Sequence, residues 1–318
     1  MRKIVVLISI VSLFVCLGLS ANGDIEKKTY IYSVKGIDTL RMDKYDIVST
    51  EIKPCIIFMF GGGFSSGTRD AERYIDYFEK LVKNGYSVVS IDYRLGMKAI
   101  KGTPTDQNID PLRFAALLKN SITMATEDLF DATSFILSHS DEWHINKNLI
   151  IANGSSAGAI SVLHGEYAIC NNEKIADKLP VGFNYAGIIS FAGAIFSTNG
   201  DLTYKQLPAP IQMFHGDADR NVPYNKLELS NIGFYGSKHI SEQLSKINSP
   251  YYFYDVDGAN HGIADSPMQN NLHEILSFID QFVIKKSPLI IHSKVQQIGK
   301  STVKKDFNIM DYINENFK

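Results

Sequence analysis

The hydrophobic and polar positions along the chain change period in a regular succession. Residues 28–34 alternate apolar and polar side chains, the pattern of an edge strand, and 39–42 are expected to pair with it as a hairpin. Residues 55–60 are apolar throughout, as a strand buried on both faces of a parallel sheet must be. The period then becomes helical over 69–83, with Tyr74, Phe78, Leu81 and Val82 at helix spacing. Asn84 and Gly85 follow, two residues that tolerate the left-handed conformation closing a helix. A strand at 86–91 comes next. Residues 97–111 are polar and broken by Gly102, Pro104 and Pro111, the composition of a surface loop. A long amphipathic helix is predicted at 112–138, in one or two pieces.

The second half repeats the alternation. Strands are predicted at 149–153, 186–191, 211–214 and 251–256, and helices at 157–170, 236–246 and 272–285, with a loop over 192–210. Strands alternating with helices specify an α/β class with a mostly parallel central sheet and helices on both faces. Loops at the carboxyl ends of such strands carry the function. Residues 287–318 fall outside the rhythm. Their weak helical pattern at 306–317 reads as a terminal helix packed on the domain, and no role attaches to it.

Composition changes this picture little, except at the amino terminus. With 318 residues, 45% hydrophobic and 21% charged, the chain can bury a sizeable core, and one domain over 21–286 is expected. A net charge of −2 supplies no basic field for nucleic acid. Met1-Arg2-Lys3 is basic, residues 4–19 are almost wholly apolar, and Gly18 and Ser20 are small. This is the pattern of a signal peptide over 1–20, cleaved before Ala21, and it implies a secreted or periplasmic protein. The apolar run is shorter than the roughly 20 residues of a spanning helix, so no transmembrane segment is expected in the mature chain. Cys16 closes Leu13-Phe14-Val15-Cys16 and allows a lipoprotein as the minor alternative, although Val15 stands where lipoboxes carry a small residue. No cysteine or histidine spacing suits a metal, and no cofactor is expected.

Candidate chemistry sits at strand ends. Gly154-Ser155-Ser156-Ala157-Gly158 fits G-x-S-x-G, the turn that exposes a serine between a strand and a helix. The frame selects Ser156, with Ser155 as its variable neighbour. Asn153-Gly154-Ser155 is also a glycosylation sequon, but the end of a buried strand is the wrong place for one. Gly61-Gly62-Gly63 follows the strand at 55–60 and can present backbone amides to a developing negative charge. It lacks the spacing of dinucleotide-binding and phosphate-binding loops. Asp217 and Asp219 both follow the strand at 211–214, where either can orient a base or shape the turn. Of eight histidines, His261 is the one after the last strand and downstream of both Ser156 and the aspartates, whereas His215 at a strand end reads as structural.

Together FGGGF at 60–64, IDYRLG at 91–96, GSSAG at 154–158, HGDADRNVP at 215–223 and GANHG at 258–262 resemble the α/β-hydrolase superfamily. Among its members they most resemble the secreted carboxylesterase and lipase branch with an HGGG-type oxyanion motif, over the mature chain to about residue 285. The resemblance implies Ser156 as nucleophile, His261 as general base and Asp219 as triad acid, with Asp217 shaping the loop. It also implies an oxyanion hole from the amides of Gly62, Gly63 and Ala157. Phe60 departs from the family, because a histidine usually stands there and braces the glycine loop.

The function so implied is a secreted serine carboxylic ester hydrolase with a Ser-His-Asp triad, acting on acyl groups of polysaccharides or on small esters. Two alternatives share the fold. A serine peptidase of the prolyl-oligopeptidase type usually carries a large propeller domain, for which this chain has no room. A non-catalytic hydrolase-fold binding protein typically lacks a triad member. The substrate loops carry no readable code, and the sequence leaves the oligomeric state open.

Overall fold

A computed structural model describes residues 23–98 and 111–296, together with positions 305, 307, 308 and 311. The expected signal peptide at 1–20, Cys16, most of the expected 97–111 loop and most of the 306–317 helical pattern lie outside the described residues.

A nine-stranded sheet runs in spatial order β1 (Ile25–Lys35), β2 (Asp38–Ile47), β4 (Ser87–Ile91), β3 (Lys53–Met59), β5 (Ile145–Ser155), β6 (Gly187–Phe191), β8 (Ile211–Gly216), β11 (Tyr251–Asp257) and β12 (Ile290–Gln296). The first two strands form an antiparallel hairpin, and β2 runs antiparallel to β4. From β4 onward every neighbouring pair is parallel. The consecutive side chains Ile56, Ile57, Phe58 and Met59 are all fully buried. Successive strand residues point to opposite faces, so both faces of the sheet are covered there.

Among the described residues these α-helices accompany the sheet: α1 (Glu72–Lys83), α2 (Pro111–Ser138), α3 (Ala157–Cys170), α4 (Ser237–Lys246), α5 (Ser266–Asn270) and α6 (Leu272–Phe278). Tyr74, Tyr77, Phe78, Leu81 and Val82 form the buried stripe of α1. In α3 nearly every side chain is buried, so this helix lies inside the molecule and has no polar face. Ion pairs tie the loop after β4 to its surroundings. Arg69 donates through Nη1 to both carboxylate oxygens of Asp92, at 3.0 and 2.9 Å. Arg94 engages the fully buried Asp128 of α2, and Lys35 of β1 meets the same carboxylate at 2.8 Å. The motif IDYRLG therefore does its work partly as a fastening of α2 and β1 to the strand ends.

The route of the chain decides where a site can form. From β3 it moves to β4 on one side, then crosses through α2 to β5 on the other side of β3. The strand order therefore reverses between β3 and β5, and the crevice outside their carboxyl ends is the topological switch point of the sheet. The residues after β3 are the glycine run, and the residue after β5 is Ser156.

Some elements differ from the sequence expectation. The stretch predicted as a loop at 192–210 contains β7 (Ala194–Ser197), which joins β10 (Ile232–Gly236) and β9 (Lys226–Leu229) in a separate three-stranded sheet. Strands of four or five residues are too short for a period to show. The long helix at 112–138 is one piece, and α6 widens into a π-helical turn over Ile279–Ile284.

The larger correction concerns the carboxyl-terminal segment. Residues assigned to an extension after 286 supply β12, the last parallel strand of the main sheet, so the domain continues past that boundary. Its side chains alternate between exposed and half-buried, with polar residues among the apolar ones, and an edge strand held by its backbone ladder leaves little apolar signal. His292 stacks on Phe253 of β11 with ring centroids 4.8 Å apart and meets Asp255 at 3.1 Å. Among the described residues no helix is long and apolar enough to cross a membrane, and Cys55 and Cys170 are both free and buried.

Removal of residues 287–318 is expected to lower the urea midpoint and to promote self-association through the uncovered edge of β11. An unchanged midpoint and an unchanged elution volume would show that β12 contributes nothing.

Candidate active site

Ser156 occupies the turn between β5 and α3 with φ +51° and ψ −115°, a conformation that costs a non-glycine residue roughly 1–3 kcal/mol. The surrounding backbone forces it. A Cβ on Gly158 would lie 2.1 Å from the Met59 carbonyl oxygen, and one on Gly154 would lie 2.3 Å from the Gly158 carbonyl carbon. Both positions accept only glycine, so the two flanking glycines of the pentapeptide have a steric cause. The Ser156 amide donates to the Phe191 carbonyl at the end of β6, at 2.8 Å, which fixes the turn from the other side. Asn153 is fully buried and bonded through its side chain to Tyr77 and to the Ile189 carbonyl, so the sequon is not exposed.

From this turn a chain of hydrogen bonds leads inward. Ser156 Oγ and His261 Nε2 are 2.9 Å apart, and His261 Nδ1 lies 2.7 Å from Asp219 Oδ2. Ser156 and His261 are both half-buried, the His261 side chain 25% exposed, whereas the Asp219 side chain is wholly buried. Oδ1 of Asp219 accepts from the backbone amides of Asn221 and Val222 at 2.8 and 3.0 Å. Its Oδ2 also meets Nε2 of the buried His215 at 3.3 Å. That nitrogen faces two acceptors, Asp219 and the Val222 carbonyl, so it carries the proton, and Nδ1 accepts from Ser237 Oγ at 2.8 Å. Burial works to raise the Asp219 pKa, but the hydrogen bonds from His215 and His261 hold the carboxyl far below its ordinary value.

Asp217 does something different. Its Oδ1 accepts from the Gly258 amide at 2.6 Å, and its Oδ2 pairs with Lys305 at 2.9 Å. It stitches the loop after β8 to the loop after β11. The same two loops are joined by the Ala218 amide donating to the Ala259 carbonyl at 3.1 Å. A Cβ on Gly216 would stand 2.1 Å from that Ala259 oxygen, so only glycine permits the approach. His261 itself opens a short helical turn, His261–Ala264, capped by Asn260, whose side chain accepts from the Gly262 amide at 3.0 Å.

The glycine run lies beside the elbow, at the end of the strand that neighbours β5. Gly62 has φ +143° and Gly63 φ +60°, and a Cβ on Gly62 would overlap the Ser66 carbonyl oxygen at 2.0 Å. The Gly62 carbonyl is turned into the loop, accepting from the amides of Ser65 and Ser66 at 3.1 Å each. Among the described residues no group accepts from the Gly62 or Gly63 amide. Ala157 begins α3, and a first helical residue has no carbonyl one turn earlier to receive its amide. Gly61 lies against the elbow, where a Cβ would be 3.2 Å from that of Ser156.

Other groups are engaged elsewhere. His164 is held uncharged by burial, which pushes its pKa down to about 3, and its Nε2 accepts from the Phe196 amide at 2.8 Å. His239 pairs with Asp201 at 2.6 Å beside the small sheet. Phe64, Tyr93 and Phe196 are all buried in the core. Among the described residues no cluster of histidine, cysteine or carboxylate side chains could hold a metal ion. Sequence reasoning missed the role of His215 as a second partner of Asp219. It also missed the hydroxyls of Tyr74 and Tyr93, which contact the backbone at the start of the glycine loop. Only the H-G-x-x-D spacing, which places His215 four residues before Asp219, carries a hint of the first.

These features define an α/β-hydrolase fold, and known proteins share it. The family model BD-FAE matches residues 43–106, which span β3, the glycine run and Asp92-Tyr93-Arg94. No curated protein matches the chain. Esterase 2 of the Planctomycetes species Thermogutta terrifontis, in its apo form, superposes with a TM-score of 0.58 at 18% identity, over 83% of this chain and 96% of that one. Its butyrate-bound form gives 0.58 at 17% identity, over 83% and 95% of the two chains. The same esterase phosphorylated by paraoxon gives 0.56 at 18% identity, again over 83% and 95%.

The depressed Asp219 pKa has a measurable consequence. The unfolded carboxyl titrates near its ordinary value of 3.8 and the folded one lower, so its contribution to stability is complete above that value and is lost as pH falls through the folded pKa. Asp219→Asn, which cannot titrate, is expected to be less stable than wild type at neutral pH, with the gap in urea-derived stability closing below about pH 4. A gap that stays constant across that range would contradict the assignment of a charged Asp219.

Proposed function

We propose that the protein is an exported serine carboxylic ester hydrolase that acts through an acyl-enzyme. The observation that carries the proposal is the hydrogen-bonded chain from Ser156 Oγ through both ring nitrogens of His261 to the buried Asp219. A serine hydroxyl is a poor nucleophile until a neighbouring base takes its proton. His261 Nε2 accepts that proton as Oγ attacks the ester carbonyl, while Asp219 fixes the tautomer and stabilises the imidazolium. The carbonyl oxygen, now negatively charged, is received by the amides of Gly62, Gly63 and Ala157, each worth about 3 kcal/mol of barrier. His261 then protonates the departing alcohol. Water, deprotonated by the same ring, attacks the acyl-enzyme and releases the acid with Ser156 restored.

For the substrate we propose short acyl esters. Support comes from the superposable esterase, whose structures include propionate-bound and butyrate-bound forms. Acyl groups carried on polysaccharide belong to the same proposal, through the resemblance stated above and the basic-then-apolar leader that points to export.

The mature protein is expected to cleave short-chain p-nitrophenyl esters, and Ser156→Ala to reduce turnover to background. Wild-type turnover no faster than that of the alanine variant would remove the esterase reading. Aminoacyl-nitroanilide cleavage as fast as ester cleavage would favour a peptidase instead.

The two aspartates should separate sharply. Asp219→Asn is expected to lower kcat on the order of 10⁴-fold, because the wrong tautomer of His261 is then favoured. Asp217→Asn weakens the contacts to Gly258 and Lys305 but touches no member of the Ser156–His261–Asp219 chain, and should cost far less. The reverse order would move the acid role to Asp217. A screen of acetylated and feruloylated sugars against simple esters locates the alcohol part.

A further inference from the structure

Phe60 removes the side chain that in related motifs braces the glycine loop, yet the loop's first backbone groups are both held by buried tyrosines. The Phe60 carbonyl accepts from Tyr93 OH at 2.8 Å, and the Phe60 ring stacks on Tyr93 with centroids 4.4 Å apart. The Gly61 amide donates to Tyr74 OH at 3.2 Å. Tyr74 is fully buried, and its hydroxyl also accepts from Arg73 Nη2 at 2.7 Å, beneath a guanidinium 4.5 Å from the ring centroid. Both lone pairs of that oxygen are therefore occupied, which fixes it in place.

Arg73 stands out on α1 for a second reason. It lies in the first helical turn, where a cation opposes the helix dipole. Among the described residues its carboxylate contact, Asp265, is 3.9 Å away with both side chains half exposed, which screens the pair. Its close contacts are with Tyr74.

We propose that Tyr74, held by Arg73, is the positioning residue for the oxyanion amides, a role that rests on the esterase reading above. Gly61 is wedged between the Tyr74 hydroxyl and the elbow, and it is covalently joined to Gly62, whose amide would face the oxyanion. Without the hydroxyl, the buried Gly61 amide has no acceptor, and the loop must rotate to find one. That rotation carries the Gly62 and Gly63 amides away from Ser156. Amides that act on charge present only in the transition state change kcat and leave substrate binding unaffected.

The test compares Tyr74→Phe, Arg73→Met and, as a control for loss of a buried tyrosine hydroxyl elsewhere, Tyr185→Phe, whose hydroxyl bonds to Thr133 at 2.9 Å. On a short p-nitrophenyl ester, Tyr74→Phe is expected to lower kcat about tenfold or more with KM within about twofold. The affinity for a trifluoromethyl ketone should weaken in parallel with kcat. Arg73→Met should give a smaller loss in the same direction, and Tyr185→Phe none. Amide exchange at Gly61, followed by NMR, should accelerate in Tyr74→Phe alone among the tyrosine variants. A kcat loss no larger than in Tyr185→Phe, or unchanged Gly61 exchange, overturns the proposal. If wild type and Ser156→Ala prove equally inactive, the esterase reading falls, and Gly61 exchange by itself decides whether Tyr74 holds the loop.

Discussion

The contact on which the site depends is one of backbone against backbone, where the first turn of α3 meets the end of β3. Gly158 lies so close to the Met59 and Phe60 carbonyls that no side chain fits between them. This contact sets the distance between the elbow and the glycine loop, which leave neighbouring strands in a fixed register, with Met59 opposite Gly154. A larger residue at 158 would push α3 away from β3 and separate Ser156 from the Gly62 and Gly63 amides together. The strained dihedrals of Ser156 follow from the same contact. The helix starts too near the sheet for the chain to turn by a relaxed route, and the packed interior holds the strain in place.

A second constraint acts at the other wall of the crevice. Asp219 is buried, so each of its oxygens must be satisfied inside the protein. Oδ1 takes two amides of its own loop, and Oδ2 takes two imidazole nitrogens. The loop after β8 is thus wound around the carboxylate before His261 is added. Asp217 serves the same loop from outside, bonding across to Gly258. One aspartate is held by its loop and faces the histidine, and the other holds the loop's neighbour in place.

What the sequence discloses follows from how each element is specified. The strands buried on both faces, the stripe of α1 and the helix behind the elbow announce themselves by their apolar pattern, because burial leaves few polar options. Loop position after a strand marks Ser156, His261 and the pair Asp217 and Asp219, the family resemblance chooses Asp219 of the two, and in space Ser156, His261 and Asp219 form one hydrogen-bonded chain. Hidden features share a different cause. β12, β7, β9 and β10 are short or lie at edges, and their hydrogen bonds come from backbone groups that every residue carries. The braces from Tyr74 and Tyr93 were equally illegible. A tyrosine at a buried helical position reads as core, and its ring is core, while the hydroxyl's target is set only by tertiary placement.

The departure at position 60 shows how such a fold can exchange one brace for another. A histidine at that place would hold the loop through its own side chain, and its polar ring would need partners in a pocket of aromatic residues. Phenylalanine satisfies the pocket without any polar cost, stacking on Tyr93. The polar requirement then passes to the backbone, whose carbonyl and amide at 60 and 61 are both buried and cannot be left unpaired. Tyr93 and Tyr74 meet it from opposite sides, one as donor and one as acceptor. Neither tyrosine can be exchanged for phenylalanine without orphaning a backbone group. The substitution at 60 therefore makes the loop's geometry depend on residues outside the glycine motif, from the end of β4 and from the first turn of α1.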